Sequence, residues 1–316
     1  FSQYDQTPLH LNPALAGIGP EDVRFTAVMR SQWYTALVPY RTVMISADRK
    51  FWNPRKPEGF FSGGLSFYYD QAGEARFSNA VLAAAGSYTW QVNSQNFFSA
   101  GLQLAVGQRR LDAASFTFDS QYDGEVFDPT LPTQEQLDRE SLLYPDFGIG
   151  LNWHAQLPDR RTRADVGIGL FHVLAPRQNF YMSDTDSRLL RRFSLYFLPT
   201  IRVGEQVDLS LRGTAQIQGT YFEALAGGGL RLWLRQTLSR ELAIELGAGY
   251  RFNVLGDAVI PYALLQTGYW QFGFTWDINV SDFSVATNRN GGPELTLRHQ
   301  IFHVRPLNEF KICPIL

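Results

Sequence analysis

Apolar and polar side chains alternate with period two along most of this chain. From Trp270 to Ser281, the residues Trp270, Phe272, Phe274, Trp276, Ile278 and Val280 fall on one face, and Gln271, Gly273, Thr275, Asp277, Asn279 and Ser281 fall on the other. Successive side chains of a strand point to opposite sides, so this segment is apolar on one surface and polar on the reverse. Val207, Leu209, Leu211, Ala215 and Ile217 oppose Asp208, Ser210, Arg212, Thr214 and Gln216 in the same way. The pattern predicts an all-β chain of about fourteen strands. They lie near 23–35, 40–52, 60–71, 75–91, 97–111, 142–156, 164–174, 190–203, 206–218, 221–234, 242–252, 258–268, 270–280 and 294–303. Several exceed the roughly 9 to 11 residues that a tilted strand needs to cross a bilayer.

Connection lengths give an independent indication. The longest connections, near 112–141, 175–189 and 281–293, follow the fifth, seventh and thirteenth segments, all odd-numbered. Most connections after even segments are short, as at Val92 to Gln95, Gly204–Glu205 and Gly268–Tyr269. Outer-membrane barrels place long loops outside and short turns in the periplasm. The parity predicts a periplasmic N-terminus, and an even strand count returns the C-terminus to that side.

The polar face carries Arg24, Arg30, Asp48, Asp208, Arg212, Glu245, Arg251 and Asp277 among other charges. That is too many for the dry core of a soluble sandwich or lipocalin-like barrel, and the opposite face is too aromatic for water. A polar lumen with a lipid-facing exterior satisfies both. Aromatic residues gather at strand ends, at Trp33 and Tyr34, Phe51 and Trp52, Tyr68 and Tyr69, Tyr88 and Trp90, and Tyr269 and Trp270. Amphipathic rings favour the membrane–water interface.

Composition narrows the classes further. No run approaches the roughly 18 to 20 consecutive apolar residues of a membrane-spanning helix, so a helical membrane protein is excluded. A net charge of -2 speaks against a general nucleic-acid binder. The single cysteine, Cys313, closes no internal disulfide. The chain opens at Phe1 without a basic or apolar leader, which reads as a mature form whose signal peptide has been removed.

Short motifs recur in order along the chain. Phe1-Ser2-Gln3-Tyr4 leads to Leu11-Asn12-Pro13-Ala14-Leu15-Ala16-Gly17, then Arg30-Ser31-Gln32-Trp33. Asp128-Pro129, Pro145-Asp146-Phe147-Gly148-Ile149-Gly150 and Gly167-Ile168-Gly169-Leu170 follow. Gly249-Tyr250-Arg251, Phe274-Thr275-Trp276-Asp277, Gly291-Gly292-Pro293-Glu294-Leu295 and Lys311-Ile312-Cys313-Pro314 complete the series. Collinear over almost the whole chain, they resemble the PorP/SprF family of type IX secretion system membrane proteins of the Bacteroidota. Trp276 departs from a Tyr that is frequent there. The resemblance implies an outer-membrane barrel without enzymatic activity. Some members of that family work with periplasmic ring components of the secretion machine. Others pair with secreted surface proteins, including gliding adhesins, that carry a C-terminal sorting domain.

The search for chemistry yields little. His10, His154, His172, His299 and His303 form no metal-ligand spacing. His299 and His303 share a strand face about 13 Å apart, too far for one ion. There is no G-x-S-x-G elbow for a nucleophile, and no cofactor motif. Asp119, Asp123, Glu125 and Asp128 surround Gly124 and could hold Ca²⁺. Their spacing is not that of an EF-hand, and Asp and Gly are ordinary loop formers, so a solvated loop is the expectation there and at 183–187. Glycines recur within strands, at Gly63, Gly64, Gly167, Gly169, Gly227 to Gly229, Gly247 and Gly249. They permit either curvature or the close approach of another backbone, and curvature is the favoured reading. Arg and Asp/Glu mixed on the inner face could form a lumen network.

The expected organisation is a periplasmic N-terminal segment at 1–22, a barrel at 23–303 and a periplasmic tail at 304–316. A partner would meet the long loops and the two termini, with Asn12, Pro13, Gln32, Trp33, Asp128, Cys313 and Pro314 as candidate contacts. Pro13 and Pro314 should hold the termini in non-helical paths. The expected partners are a secreted surface protein with a C-terminal sorting domain, ring lipoproteins and outer-membrane lipid. The rival is a porin or ligand-selective channel, for which the lumen would have to be open.

Overall fold

The alternating segments form fourteen antiparallel strands. They are β1 (Val23–Gln32), β2 (Tyr40–Phe51), β3 (Gly59–Ala72), β4 (Phe77–Gln91), β5 (Asn96–Arg110), β6 (Ser141–Gln156), β7 (Arg163–Phe171), β8 (Arg192–Arg202), β9 (Val207–Gln218), β10 (Tyr221–Arg235), β11 (Leu242–Asn253), β12 (Ala258–Thr267), β13 (Trp270–Asn279) and β14 (Asn290–Ile301). The computed structural model describes residues 1–32, 40–52, 58–73, 76–112, 118–122, 124–128, 130–131, 139–158, 161–180, 187–237, 240–253, 258–281 and 288–303. Each strand pairs with its neighbours in sequence, and β1 pairs with β14 from Val23↔Ile301 to Arg30↔Glu294, which closes the barrel. Closure leaves no strand edge unpaired, as a spanning structure in lipid requires.

Facing follows the alternation. Along β13, Trp270, Phe272 and Phe274 are exposed, whereas Gln271, Thr275, Asp277 and Asn279 are buried. Phe25, Met29, Leu65, Leu82, Leu104, Phe193 and Leu246 continue the exposed apolar belt around the wall. These residues face lipid, and the buried face is polar, inverting the plan of a soluble protein. Among the described residues no helix is long and apolar enough to cross a membrane.

The predicted strands all appear, with ends moved by a few residues. The largest change is at β14, which starts at Asn290 and carries Pro293 opposite Trp276, next to a register shift at Asp277/Ile278. A bulge accommodates a residue that cannot donate to the ladder. Connections 111–140, 172–191 and 280–289 lie at one end of the barrel, called here the long-loop side. The opposite end, with connections such as 92–95, 203–206 and 268–269, is the short-turn side.

The N-terminal segment departs from expectation. It does not hang below the barrel but runs inside it. Asp22 joins the wall at the short-turn end, where its N–H donates to Ile301 O at 2.9 Å. Upstream, a 3-10 turn (Pro13–Leu15), one helical turn α1 (Pro8–Leu11) and a second 3-10 turn (Tyr4–Gln6) form an internal plug. Pro13 therefore opens a helical turn, a position where its fixed φ and missing N–H cost nothing. Tyr4, Leu11, Leu15 and Ile18 of the plug pack with Tyr196, Leu225, Ala258 and Ile260 of the wall into the apolar core. The aromatic clusters divide likewise. Phe51, Trp52, Trp90, Tyr269 and Trp270 are exposed at strand ends, but Tyr68 turns inward, its ring stacked on His10 at 5.4 Å.

Candidate functional site

The site that the fold builds is the plugged lumen, and its parts can be followed from the plug residues outward. Asn12 is fully buried. Its amide nitrogen donates to Leu151 O at 3.1 Å and Ile168 O at 2.9 Å, carbonyls of the paired strands β6 and β7. Its side-chain oxygen accepts from Ala14 N at 2.8 Å and caps the following 3-10 turn. Glycines leave room for this approach. A Cβ on Gly101 would sit 2.5 Å from the Pro13 carbonyl carbon and 2.6 Å from Ala14 Cα. On Gly150, paired opposite Gly101, a Cβ would lie 2.7 Å from Asn12 Cγ. On Gly64 it would meet Leu9 Cδ1 at 2.7 Å. Close approach is therefore the role at these positions: the chain's own N-terminus brings its backbone against Gly101 and the side chains of Asn12 and Leu9 against Gly150 and Gly64. Gly167 and Gly247 instead make space for the side chains of Tyr196 and Tyr262.

Charge fixes both ends of the plug. Near the chain start, Ser2 N and Gln3 N each donate to the Glu294 carboxylate at 2.8 Å. Ser2 Oγ donates to Asp277 Oδ1 at 2.7 Å, and Arg251 donates to Ser2 Oγ at 2.7 Å. Arg30 and Arg251 lie 2.7 and 2.8 Å from Asp277. At the short-turn end, the Arg24 guanidinium grips both oxygens of Asp48 at 2.9 and 2.8 Å and reaches Glu21 at 3.2 Å. Asp48 also accepts from Gly17 N at 2.7 Å, where a φ of +68° suits glycine. A third group joins Asp5 to Arg212 at 2.9 Å, Arg212 to Glu245, and Glu245 to Arg231 at 2.8 Å. Buried charges persist only when paired and hydrogen-bonded, and here the plug supplies many of the partners.

Motifs far apart in sequence thus converge in space. Ser2, Gln3, Arg30, Arg251, Asp277 and Glu294 come from five separate motifs and form one network. Asn12 and Gly150 come from two more and touch. Asn12 and Pro13, expected as contacts for a partner, are turned inward and held by their own barrel. Gln32 ends β1 and is half-buried. Trp33, Asp123, Cys313 and Pro314 lie outside the described residues.

On the long-loop side, Asp128 accepts from Thr130 Oγ1 at 2.6 Å and Thr130 N at 2.8 Å, and these hydrogen bonds hold its carboxyl below the usual range. Asp119 belongs to a 3-10 turn (Asp119–Gln121), and Glu125 is exposed. Among the described residues no three His, Cys, Asp or Glu side chains cluster to hold a metal. The histidines have local partners: His154 pairs with Asp165 at 2.9 Å and His172 with Asp146 at 2.8 Å. His299 packs on the Trp270 ring at 4.3 Å.

Two cavities flank the plug. A small one of about 120 Å³ lies beside Phe1, His10, Arg192 and Glu223. A larger one of about 360 Å³ opens at the short-turn side and is lined by Arg24, Arg161, Arg163, Arg212, Arg231 and Arg298 together with several carboxylates.

Comparison with known proteins places the architecture. The CymD monoaromatic hydrocarbon channel is similar over 94% of this chain and 93% of its own, at 10% identity and a TM-score of 0.53. A deltaS2 mutant of the TodX monoaromatic hydrocarbon channel is similar over 94% of both chains, at 11% identity and a TM-score of 0.50. At such identities the likeness concerns the outer-membrane barrel fold alone. No curated protein matches the sequence. The profile described as type IX secretion system membrane protein PorP/SprF matches residues 1–299 and so takes in the plug, the wall and the networks that join them. The chain belongs to the PorP/SprF family of type IX secretion system membrane proteins.

Proposed function

We propose that this barrel is a non-enzymatic, plugged docking component that holds or helps export a secreted surface protein bearing a C-terminal sorting domain. The observation that carries the reading is the plug. Residues 1–22 fill the lumen and are pinned by Asn12, Glu294, Asp277 and Asp48. A passive porin needs a water-filled path, and a lumen crossed by paired buried charges and apolar packing disfavours one. The binding surface is then the long-loop side, with connections 111–140, 172–191 and 280–289 outside the cell and the short-turn side, where Asp22 enters the wall, in the periplasm. Among the described residues of connection 111–140, Gln121 Nε2 donates to Leu131 O at 3.2 Å and Tyr122 bridges Phe127. A braced loop meets a partner at lower entropic cost than a free one. Family membership supplies the kind of partner, a component or client of type IX secretion.

The test is a mild-detergent purification from native outer membranes with mass spectrometry of what accompanies the barrel. Recovery of a large secreted protein with a C-terminal sorting domain, lost when 112–140 is replaced by a short Gly-Ser linker, supports the reading. Recovery of the barrel alone overturns it.

A further inference from the structure

The cavity on the short-turn side has a charge pattern that the plug does not explain. Four of its arginines are committed: Arg24 to Asp48 and Glu21, Arg161 to Asp208, Arg212 to Asp5 and Glu245, and Arg231 to Glu245. The lining carboxylates are committed as well, since Asp165 pairs with His154 and Glu241 accepts from Gln266 at 2.8 Å. Arg163 and Arg298 are left over. Among the described residues Arg163 makes neither an ion pair nor a side-chain hydrogen bond, although it is half-buried in the wall of the cavity. Arg298 reaches only the main-chain oxygen of Asp5, at 3.3 Å, and its Nε is buried without a partner.

A guanidinium withdrawn from bulk water is stable when it meets an anion, and its planar fork fits a carboxylate or phosphate through two parallel hydrogen bonds. These two arginines, neither of them in an ion pair, stand on β7 and β14, half the ring of fourteen strands apart. Strands ~4.8 Å apart make such a ring roughly 21 Å across before tilt widens it, so the two guanidinium groups enter the cavity from opposite walls. The cavity that they share, about 360 Å³, has room for a short stretch of extended chain. We propose that this cavity binds an acidic peptide segment entering from the short-turn side, with Arg163 and Arg298 each receiving a carboxylate. Glu21 does not occupy either arginine, because it is held by Arg24 and by Gln300 Nε2 at 3.2 Å.

The site does not depend on partner binding at the long loops, and the test separates the two. A fluorescein-labelled hexaglutamate peptide is titrated with the detergent-solubilised full chain and followed by anisotropy. Saturable binding is expected, weakening as salt rises. The pair Arg163→Gln and Arg298→Gln should lower affinity at least tenfold, whereas Arg235→Gln, at the exposed end of β10, should leave it unchanged. The pair Arg163→Lys and Arg298→Lys keeps both charges and should retain binding, and heat-modified gel migration reports that each variant is folded. Absence of peptide binding, equal binding by the Gln pair, or displacement by inorganic phosphate at equal charge concentration would each overturn the proposal. The last result would mark a site for small anions instead. Capture of the secreted protein should survive the Gln pair.

Discussion

Replacing Asn12 by Asp tests the docking of the plug at one atom. The side chain keeps its shape and its acceptor for Ala14 N, but an N–H₂ that donates to Leu151 O and Ile168 O becomes an oxygen. Two hydrogen bonds of about 1 kcal/mol each are lost. A carboxylate also faces two carbonyl oxygens at 3.1 and 2.9 Å with no cation in the contact. An uncompensated buried charge costs about 3–5 kcal/mol, and protonation of the carboxyl would cap the penalty at the low end of that range. Since about 1.4 kcal/mol is a factor of ten, the closed plug should lose roughly two to three decades against its open form. Hydrogen–deuterium exchange reads this equilibrium directly. The amides of Ala14, Leu15, Ala16, Gly17 and Ile18 are all bonded within the plug or to Asp48. Their exchange should accelerate about a hundredfold or more in Asn12→Asp while strand amides are unaffected. Acceleration below threefold, or equal acceleration in the strands, would refute the reasoning.

Three further perturbations follow from the same geometry. Gly101→Leu sets a side chain where Ala14 and Pro13 now lie; the barrel should still assemble, with residues 8–18 becoming sensitive to protease added to the detergent-solubilised protein. Glu294→Ala removes the carboxylate that accepts from Ser2 N and Gln3 N and stands beside Arg30 and should destabilise by about 3–5 kcal/mol, read as a shifted denaturant midpoint in tryptophan fluorescence. Leu104→Arg places a charge on the exposed apolar face of β5 and should cost about 2–4 kcal/mol if that face lies at the bilayer midplane, measured by the yield of folded protein in liposomes.

How far the structure could be read from sequence depends on the kind of signal. The wall was legible because its one rule, an apolar exterior and a polar lumen, acts at every second residue over ten or more positions. Trp270 to Asn279 shows it without exception. The plug was not, because it has no period: Leu9, Leu11, Asn12 and Ala14 are buried through contacts with strands more than a hundred positions away in some cases. A trace existed nonetheless. Gly101 and Gly150 stand among inward-facing positions, where small residues ask what fills the space. The surplus of charges on the inner face posed the same question, and the answer was a second set of donors from the N-terminus. The polar ends of the networks, such as Arg30 with Asp277, could be assigned to the lumen by parity alone, but their pairing needed the register of β1, β13 and β14. Cys313 and Pro314 lie outside the described residues and stand as candidate partner contacts only.

The central claim is that the N-terminal segment closes the barrel, and single-channel recording of the purified full chain in a planar bilayer tests it most directly. The plugged lumen predicts little or no steady conductance, with Asn12→Asp and Gly101→Leu opening to larger, fluctuating currents. Steady porin-like conductance from the unaltered chain, unchanged in those variants, would contradict the account.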